Sequence, residues 1–582
     1  MFRWKRDPKK DSRPIARRFG VFESLESRRL LTNMPFGAQP GDTGEFMLGT
    51  IVVTPVFFES NGVVDSSTEN WNSAHIQQTL AKIDEALDWW VTSLQGLNTV
   101  HQLSFVVDTT FATQPVQTAY EPINRRSNDY ELYANEFLQS QGLGSGNVLS
   151  DVRAFNHAQR QKFDTNWSFT MFVVNSQNQG DGLFAPGGSF NRAFAFAGGL
   201  FMVVPSTRPA STFAHETGHM FWARDEYVGG GSYYNYRGYY NSQNVNASDN
   251  PTPGFVQQPS IMAAGTLLSN AYQNFTSAPS TFAQIGWQDS DGDGIFDVLD
   301  VSSELTGNGN WDFAQGVYRF VGRAEVKTLP NQNSSGSGND ITLNKIRQIE
   351  YRIDSGSWQV IAQPNAYQVD LELEIPLTPG AQQVELRARD STTTVTSNVF
   401  AAVRSPWQNP ARLQDVNDDG RISAMDALLV INALNSSHPS DLSEAEPPSP
   451  PNPPYIDVNG DMRLTALDAL WVINYLNSQS NFQAGGGGGP FGGEGEAFAA
   501  PPNEAFFFVR PSEPTIESPG IFASQPGSGT GLETSDLEIA SVASSPRLIP
   551  QVSADLALEG ALEESLADPQ WLDLLAISHL NC

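Results

Sequence analysis

His215, Glu216 and His219 stand in the run His215-Glu216-Thr217-Gly218-His219, and Asp225-Glu226-Tyr227 begins six positions after the second histidine. On a helix, residues at i and i+4 share a face, so the two imidazoles can hold one Zn²⁺ between them. Glu216, beside the first ligand, is placed to take a proton from a water that the metal acidifies. A catalytic zinc takes three protein ligands and keeps a fourth position for water or substrate. Asp225 and Glu226 are the candidates for the third. The chain has only seven histidines, so a pair four apart around a glutamate is not a product of abundance.

The flanking residues supply the elements that such a pair needs. Phe194 to Val204 reads as one buried strand, and Pro205 to Pro209 break it. Ser211-Thr212 then offer a cap for the helix that follows.

Counted from His219, Asp225 completes the pattern His-Glu-x-x-His-x-x-x-x-x-Asp. This resembles the metzincin zinc peptidases, which place a His or Asp there and carry a tight methionine turn under the metal. Gln258-Pro259-Ser260-Ile261-Met262-Ala263-Ala264-Gly265 is similar to that turn, with Met262 as its methionine. Asp225-Glu226-Tyr227 also resembles, more loosely, the bacterial IgA-protease-type metallopeptidases. The resemblance implies Asp225 as third ligand, with Glu226 the runner-up. A thermolysin-like site would need a glutamate on a later helix, and the next after Glu226 is Glu304. Two positions depart from the metzincin pattern. Trp222 stands where Gly usually turns the chain, so the chain needs another way to turn, and Ala264 where some members carry Tyr.

Charge bounds the partners. The chain has 582 residues and a net charge of -30, yet ten of its 34 Lys and Arg lie in the first 30 positions. The strongly acidic remainder argues against nucleic acid and suits a calcium-rich exterior protein. So long a chain exceeds a single core. Cys582 is the lone cysteine, which excludes an intramolecular disulfide framework. No run approaches the ~18 apolar residues of a membrane span, so the protein is expected not to be membrane-spanning.

Residues 1–45 read as a basic leader or export segment that lacks the apolar stretch of a standard signal peptide. Phe22-Glu23-Ser24-Leu25-Glu26-Ser27-Arg28-Arg29-Leu30-Leu31 resembles the leader of certain large bacterial secreted proteins that carry dockerin repeats. A disordered basic arm is the other reading.

Residues 46–288 read as the zinc-protease domain. Gly49 to Phe58 is an apolar strand, and Ile76, Leu80, Ile83, Leu87 and Trp90 fall near helical spacing across Ser73 to Leu94. Strands are expected at Leu103–Asp108 and Ser168–Val174, and a cleft-shaping loop at Gly229–Asn250. In residues 289–300, Asp289, Asp291, Asp293, Asp297 and Asp300 put oxygens at positions 1, 3, 5, 9 and 12 of a calcium loop. Residues 301–405 alternate like a β-sandwich (Ile349, Tyr351, Ile353; Val369, Leu371, Leu373, Ile375) and resemble a bacterial immunoglobulin-like module.

Residues 412–478 contain an internal repeat. Asp415-Val416-Asn417-Asp418-Asp419-Gly420-Arg421 returns 42 positions later as Asp457-Val458-Asn459-Gly460-Asp461-Met462-Arg463, each followed by an apolar helix pattern. Asp415, Asn417, Asp419 and Asp426, and likewise Asp457, Asn459, Asp461 and Asp468, supply donors for one Ca²⁺ per loop. The pair resembles a type I dockerin, which implies a cohesin-type partner. Met462 replaces the usual Gly and, lacking glycine's freedom at positive φ, is expected to weaken the second loop. Residues 479–582 are Gly-, Pro- and acid-rich and read as disordered, with an amphipathic pattern over 556–580.

The expected protein is multidomain: an α/β (α+β) metzincin-like zinc-protease domain, an Ig-like β-sandwich, a small all-α calcium-binding dockerin, and disordered ends. Its expected role is that of a secreted or cell-surface bacterial zinc endopeptidase, with Zn²⁺ and Ca²⁺ as cofactors and a protein or peptide as substrate. The alternative is a non-catalytic, calcium-stabilised adhesion or scaffold protein with a degenerate protease domain. Trp222 favours the second reading and the intact Glu216 the first.

Overall fold

Strand β1 (Gly49–Ser60) is buried along most of its length, and its side chains alternate between two apolar cores. Ile51, Val53 and Phe57 enter one core, Val56 and Phe58 the other, as the period-two geometry of a strand requires. The computed structural model describes residues 33–179, 181–312, 315–436, 438–443, 445–446 and 452–483. Most of the expected leader, nearly all of the tail, the 556–580 pattern and Cys582 lie outside the described residues. Among the described residues, those up to Val403 form one unit and those from Arg404 a second.

In the larger unit, β1 is followed by α1 (Ser73–Gln95), β2 (Leu103–Val107), α2 (Thr110–Thr113) and β3 (Val116–Thr118). Then come α3 (Tyr130–Ser140), α4 (Val148–Phe163), β4 (Trp167–Val174), β5 (Phe194–Phe196), β6 (Phe201–Pro205) and α5 (Ala210–Met220). The strands form one sheet in the order β2-β1-β4-β6-β5, with β3 beside the end of β1. All pairings are parallel except that of β5, the antiparallel edge strand.

Helices cover both faces. Leu87, Trp90 and Leu94 of α1 and Phe213 and Ala214 of α5 share one core. Tyr133 and Phe137 of α3 and Val152 and Phe155 of α4 share the other. Each large apolar side chain so buried contributes about 1.5–3 kcal/mol. Asn72 caps α1 by accepting from the N–H groups of Ala74 and His75. Trp90 Nε1 donates to Ala214 O at 2.9 Å and fastens α1 to α5, the helix that carries the histidines.

Two local expectations are corrected. Phe194–Val204 is a hairpin and not one strand, because Gly198 and Gly199 both take positive φ (76° and 67°) and reverse the chain. The cap of α5 is Pro209, whose fixed φ suits a helix start, while Ser211 and Thr212 lie within the first turn.

Beyond α5, the expected long loop holds a short hairpin of β7 (Tyr236–Arg237) and β8 (Ser242–Gln243) and is pinned by the buried residues Tyr239, Asn244 and Asn246. Helices α6 (Gly265–Gln273) and α7 (Pro279–Gln284) follow. Phe296, Val298 and Leu299 join the same core as Trp90, so the Asp-rich segment is anchored in this unit. Strands β9 (Glu304–Asp312), β10 (Val317–Glu325), β11 (Gln348–Ile353), β12 (Gln359–Ala362), β13 (Gln368–Pro376), β14 (Gln383–Arg389) and β15 (Phe400–Val403) complete it. They form two antiparallel sheets, β13-β10-β9 and β12-β11-β14-β15, around one core that includes Phe320, Ile349 and Leu386.

The second unit holds α8 (Ala424–Leu434) and α9 (Ala466–Gln483). Its core repeats with the sequence: Val416 and Val458, Ala427 and Ala469, Val430 and Val472 are buried together. Among the described residues, no helix is long and apolar enough to cross a membrane.

Candidate metal centre

Helix α5 must end sharply after His219 for Asp225 to turn back onto it. Trp222 N–H donates to His219 O at 3.0 Å and Ala223 N–H to Gly218 O at 3.1 Å, the paired bonds of a Schellman stop. The residue at the turn takes φ 78°, and it is Trp222 itself. The expectation that tryptophan needs another way to redirect the chain is therefore corrected. Its ring is buried against Gly198, where there is no side chain to displace.

The turn brings the three expected ligands together. His215, His219 and Asp225 are buried, with ligand atoms all within 4.8 Å of one another. His215 Nδ1 donates to Ile261 O at 2.8 Å, and His219 Nδ1 donates to Ala223 O at 2.8 Å. A carbonyl can only accept, so both Nδ1 atoms carry hydrogen and both Nε2 atoms face inward. Asp225 Oδ1 lies 2.9 Å from His215 Nε2 and 3.4 Å from His219 Nε2, buried and without a hydrogen bond of good geometry. Two imidazole lone pairs and a carboxylate converging on one point need a cation between them: protons on the rings, or a metal. Burial opposes charge on His215, yet Asp225 outweighs it and pushes the pKa up to about 10. Asp225 itself is held below the usual carboxylate range, because the two histidines outweigh its burial. The donor set of two imidazoles and one carboxylate fits Zn²⁺ with an open fourth position.

Glu216 is buried between the histidines on α5 and lies within electrostatic reach of both. Glu226 is separate from this cluster: Oε2 accepts from Asn246 Nδ2 at 2.7 Å and Oε1 from Thr281 Oγ1 at 2.8 Å. Met262 is fully buried beneath α5. A Cβ on Gly218 would lie 2.8 Å from Met262 Sδ, so the glycine inside the motif makes room for the turn. Ile261 and Met262 brace the site from below, since Met262 O accepts from Glu226 N–H at 2.8 Å.

The calcium-type loops differ in how they gather oxygens. Asp289, Asp291 and Asp293 form one cluster. Asp297 turns its carboxylate to Ser290 and Gln288 instead, while Asp300 remains in electrostatic contact with all four other aspartates.

In the second unit the two loops are near copies. Asp415 accepts from the N–H groups of Asp419 and Gly420, and Asp457 from those of Asp461 and Met462. Asp426 accepts from Val416 and Asn417 N–H, and Asp468 from Val458 and Asn459 N–H. Asn417 and Asn459 each donate to the following acid, Asp419 or Asp461. The part of the expectation that denied Met462 the left-handed conformation is corrected, because it adopts φ 61°. Each loop has two left-handed positions, filled by Asp418 and Gly420 in the first and by Gly460 and Met462 in the second. One glycine per loop is thus kept, at swapped positions.

Sequence reasoning missed the carbonyls of Ile261 and Ala223, which no side-chain pattern reveals, and the second residue sphere of Asn246 and Thr281. An Asn-rich run between ligand and methionine turn was the available signal. Residues 413–477 match the family model of the Dockerin type I domain, and this segment is accordingly a calcium-dependent, cohesin-binding type of module. No curated protein and no solved structure matches the chain.

Proposed function

We propose that the larger unit is a zinc-dependent endopeptidase of metzincin type, borne on a chain that docks through its dockerin outside the cell. The observation that carries this reading is the paired hydrogen bonding of Nδ1 in His215 and His219 to main-chain carbonyls. It turns both Nε2 lone pairs toward Asp225 Oδ1. Zn²⁺ bound there supplies a Lewis acid that polarises a peptide carbonyl and acidifies a water. Glu216, buried beside both histidines, would serve as the base that accepts a proton from the attacking water and returns it to the leaving amine.

Edge strand β5 pairs only with β6 among the described residues, so its other side offers main chain to an extended peptide. A pocket of about 280 Å³ is lined by Arg224 and by Val228, Gly230 and Ser232 of the loop after Asp225, and by none of the three ligands. The non-catalytic alternative loses its main argument, since Trp222 makes the turn that glycine would make.

The dockerin reading has its own support. Met425 and Leu428 are exposed on α8, and their repeat equivalents Leu467 and Leu470 are exposed on α9. These offer apolar surface to a cohesin-type partner. Zinc analysis of the purified chain, with peptide hydrolysis by wild type and Glu216→Gln, tests the enzymatic reading.

A further inference from the structure

Glu226 follows the third ligand in the chain, is 0 % exposed, and has every polar atom in use. Its N–H donates to Met262 O at 2.8 Å, and its carbonyl accepts from Ser248 N at 2.8 Å and Gln257 Nε2 at 2.7 Å. Its carboxylate accepts from Asn246 Nδ2 and Thr281 Oγ1, with Ser280 Oγ at 3.4 Å. Four segments therefore converge on this residue: the ligand loop, the residues after β8, the methionine turn, and α7.

A buried carboxylate costs energy unless hydrogen bonds compensate it, so so complete a set of donors marks an anchor. The anchor sits beside the ligand. Ile261 O orients the His215 ring while Met262 O holds the main chain at Glu226, so one dipeptide supports the first ligand and the neighbour of the third. Asn244 Nδ2 adds a bond to Asp225 O at 2.8 Å from the same loop.

We propose that Glu226 is a positioning residue for the metal centre: it locks the Asp225–Glu226 main chain onto the methionine turn and thereby aims Asp225 Oδ1 at the two Nε2 atoms. The inference rests on the zinc reading above. It assigns Glu226 no contact with metal or substrate.

The test uses the full chain in excess Ca²⁺, which keeps the oxygen-rich loops filled. Zn²⁺ affinity is measured by competition with a chromophoric chelator, and ligand geometry by the visible spectrum of the Co²⁺-substituted protein. Glu226→Ala should weaken Zn²⁺ binding about 10–100-fold, the range seen when residues supporting metal ligands are removed. Its Co²⁺ bands should shift. Glu226→Gln should stay within a few-fold of wild type, because its oxygen still serves Asn246 and its NH₂ can donate to the hydroxyls of Thr281 and Ser280. Thr281→Val, which keeps the side-chain shape, should fall between the two.

Wild-type affinity and spectrum in Glu226→Ala would overturn the proposal. If that variant does not fold, the same result in Thr281→Val would do so. A folded Glu226→Gln as impaired as Glu226→Ala would overturn it too, by tying the effect to charge and not to placement. A wild type that binds no zinc overturns the zinc reading and this inference with it, whereas unchanged variants of a zinc-binding wild type overturn this inference alone.

Discussion

Gly198 and Trp222 share one space: a Cβ built on Gly198 would lie 2.3 Å from Cζ2 of the Trp222 ring. The missing side chain in the β5–β6 turn is the seat of the indole that ends the metal helix. Holding Trp222 at φ 78° costs about 1–2 kcal/mol, the penalty for a left-handed residue with a Cβ. Emptying a buried tryptophan site costs about 3–5 kcal/mol, so packing wins over backbone strain.

Both partners should therefore be sensitive. Gly198→Ala should destabilise the larger unit by about 2–5 kcal/mol, through positive-φ strain and overpacking against the ring. Trp222→Gly should destabilise it as well, although glycine suits the turn better. Thermal unfolding measures both, and unchanged stability in either variant would contradict the pairing.

Much of this site could be read in the sequence because helical periodicity fixes where His215, Glu216 and His219 point. The parallel strands were also legible, since runs such as Ile51–Phe58 and Phe169–Val174 are apolar on both faces. The β5–β6 hairpin was not, because Phe194 to Val204 is apolar throughout and only Gly198-Gly199 signals the reversal. The conformations of Trp222 and Met462 were misjudged for one reason. Local preference against positive φ is weak beside burial or a closed loop of hydrogen bonds, and tertiary context decided both.

The third ligand can be separated from its neighbour by mutation. Asp225→Ala should remove zinc under dialysis, while Glu226→Ala should retain it with reduced affinity, since Glu226 is committed to Asn246 and Thr281. Metal stoichiometry decides this. Loss from Glu226→Ala with retention by Asp225→Ala would reverse the assignment.

Calcium should invert the pH dependence of the second unit. Burial pushes Asp457 up to about 6, so the calcium-free fold binds this proton more tightly than the unfolded chain does. Stability without calcium should then fall as pH rises from about 4 to 6, by roughly 3 kcal/mol, and stay low above that window. With Ca²⁺ bound the ionised carboxylate is the favoured form, and stability should rise over the same range. Circular dichroism of a fragment from Arg404 to Gln483, in chelator and in calcium, gives both curves. Parallel curves would contradict the role of the buried carboxylates.

Met462→Gly should stabilise the second calcium loop by about 0.5–1 kcal/mol, the relief of left-handed strain less the extra freedom of glycine when unfolded. Asp418→Gly should gain less, because aspartate tolerates that region better than methionine. Calcium titrations of the two variants test this, and a weaker loop in Met462→Gly would count against it.

The central claim is that Glu216 acts as base beside a zinc held by His215, His219 and Asp225. The most direct measurement pairs zinc content with the rate of peptide hydrolysis for wild type and Glu216→Gln. General-base catalysis contributes roughly 10²–10⁴-fold, so Glu216→Gln should keep one zinc per site and lose activity by at least that factor. A Glu216→Gln protein that holds zinc and still cleaves peptides within a few-fold of wild type would contradict the account.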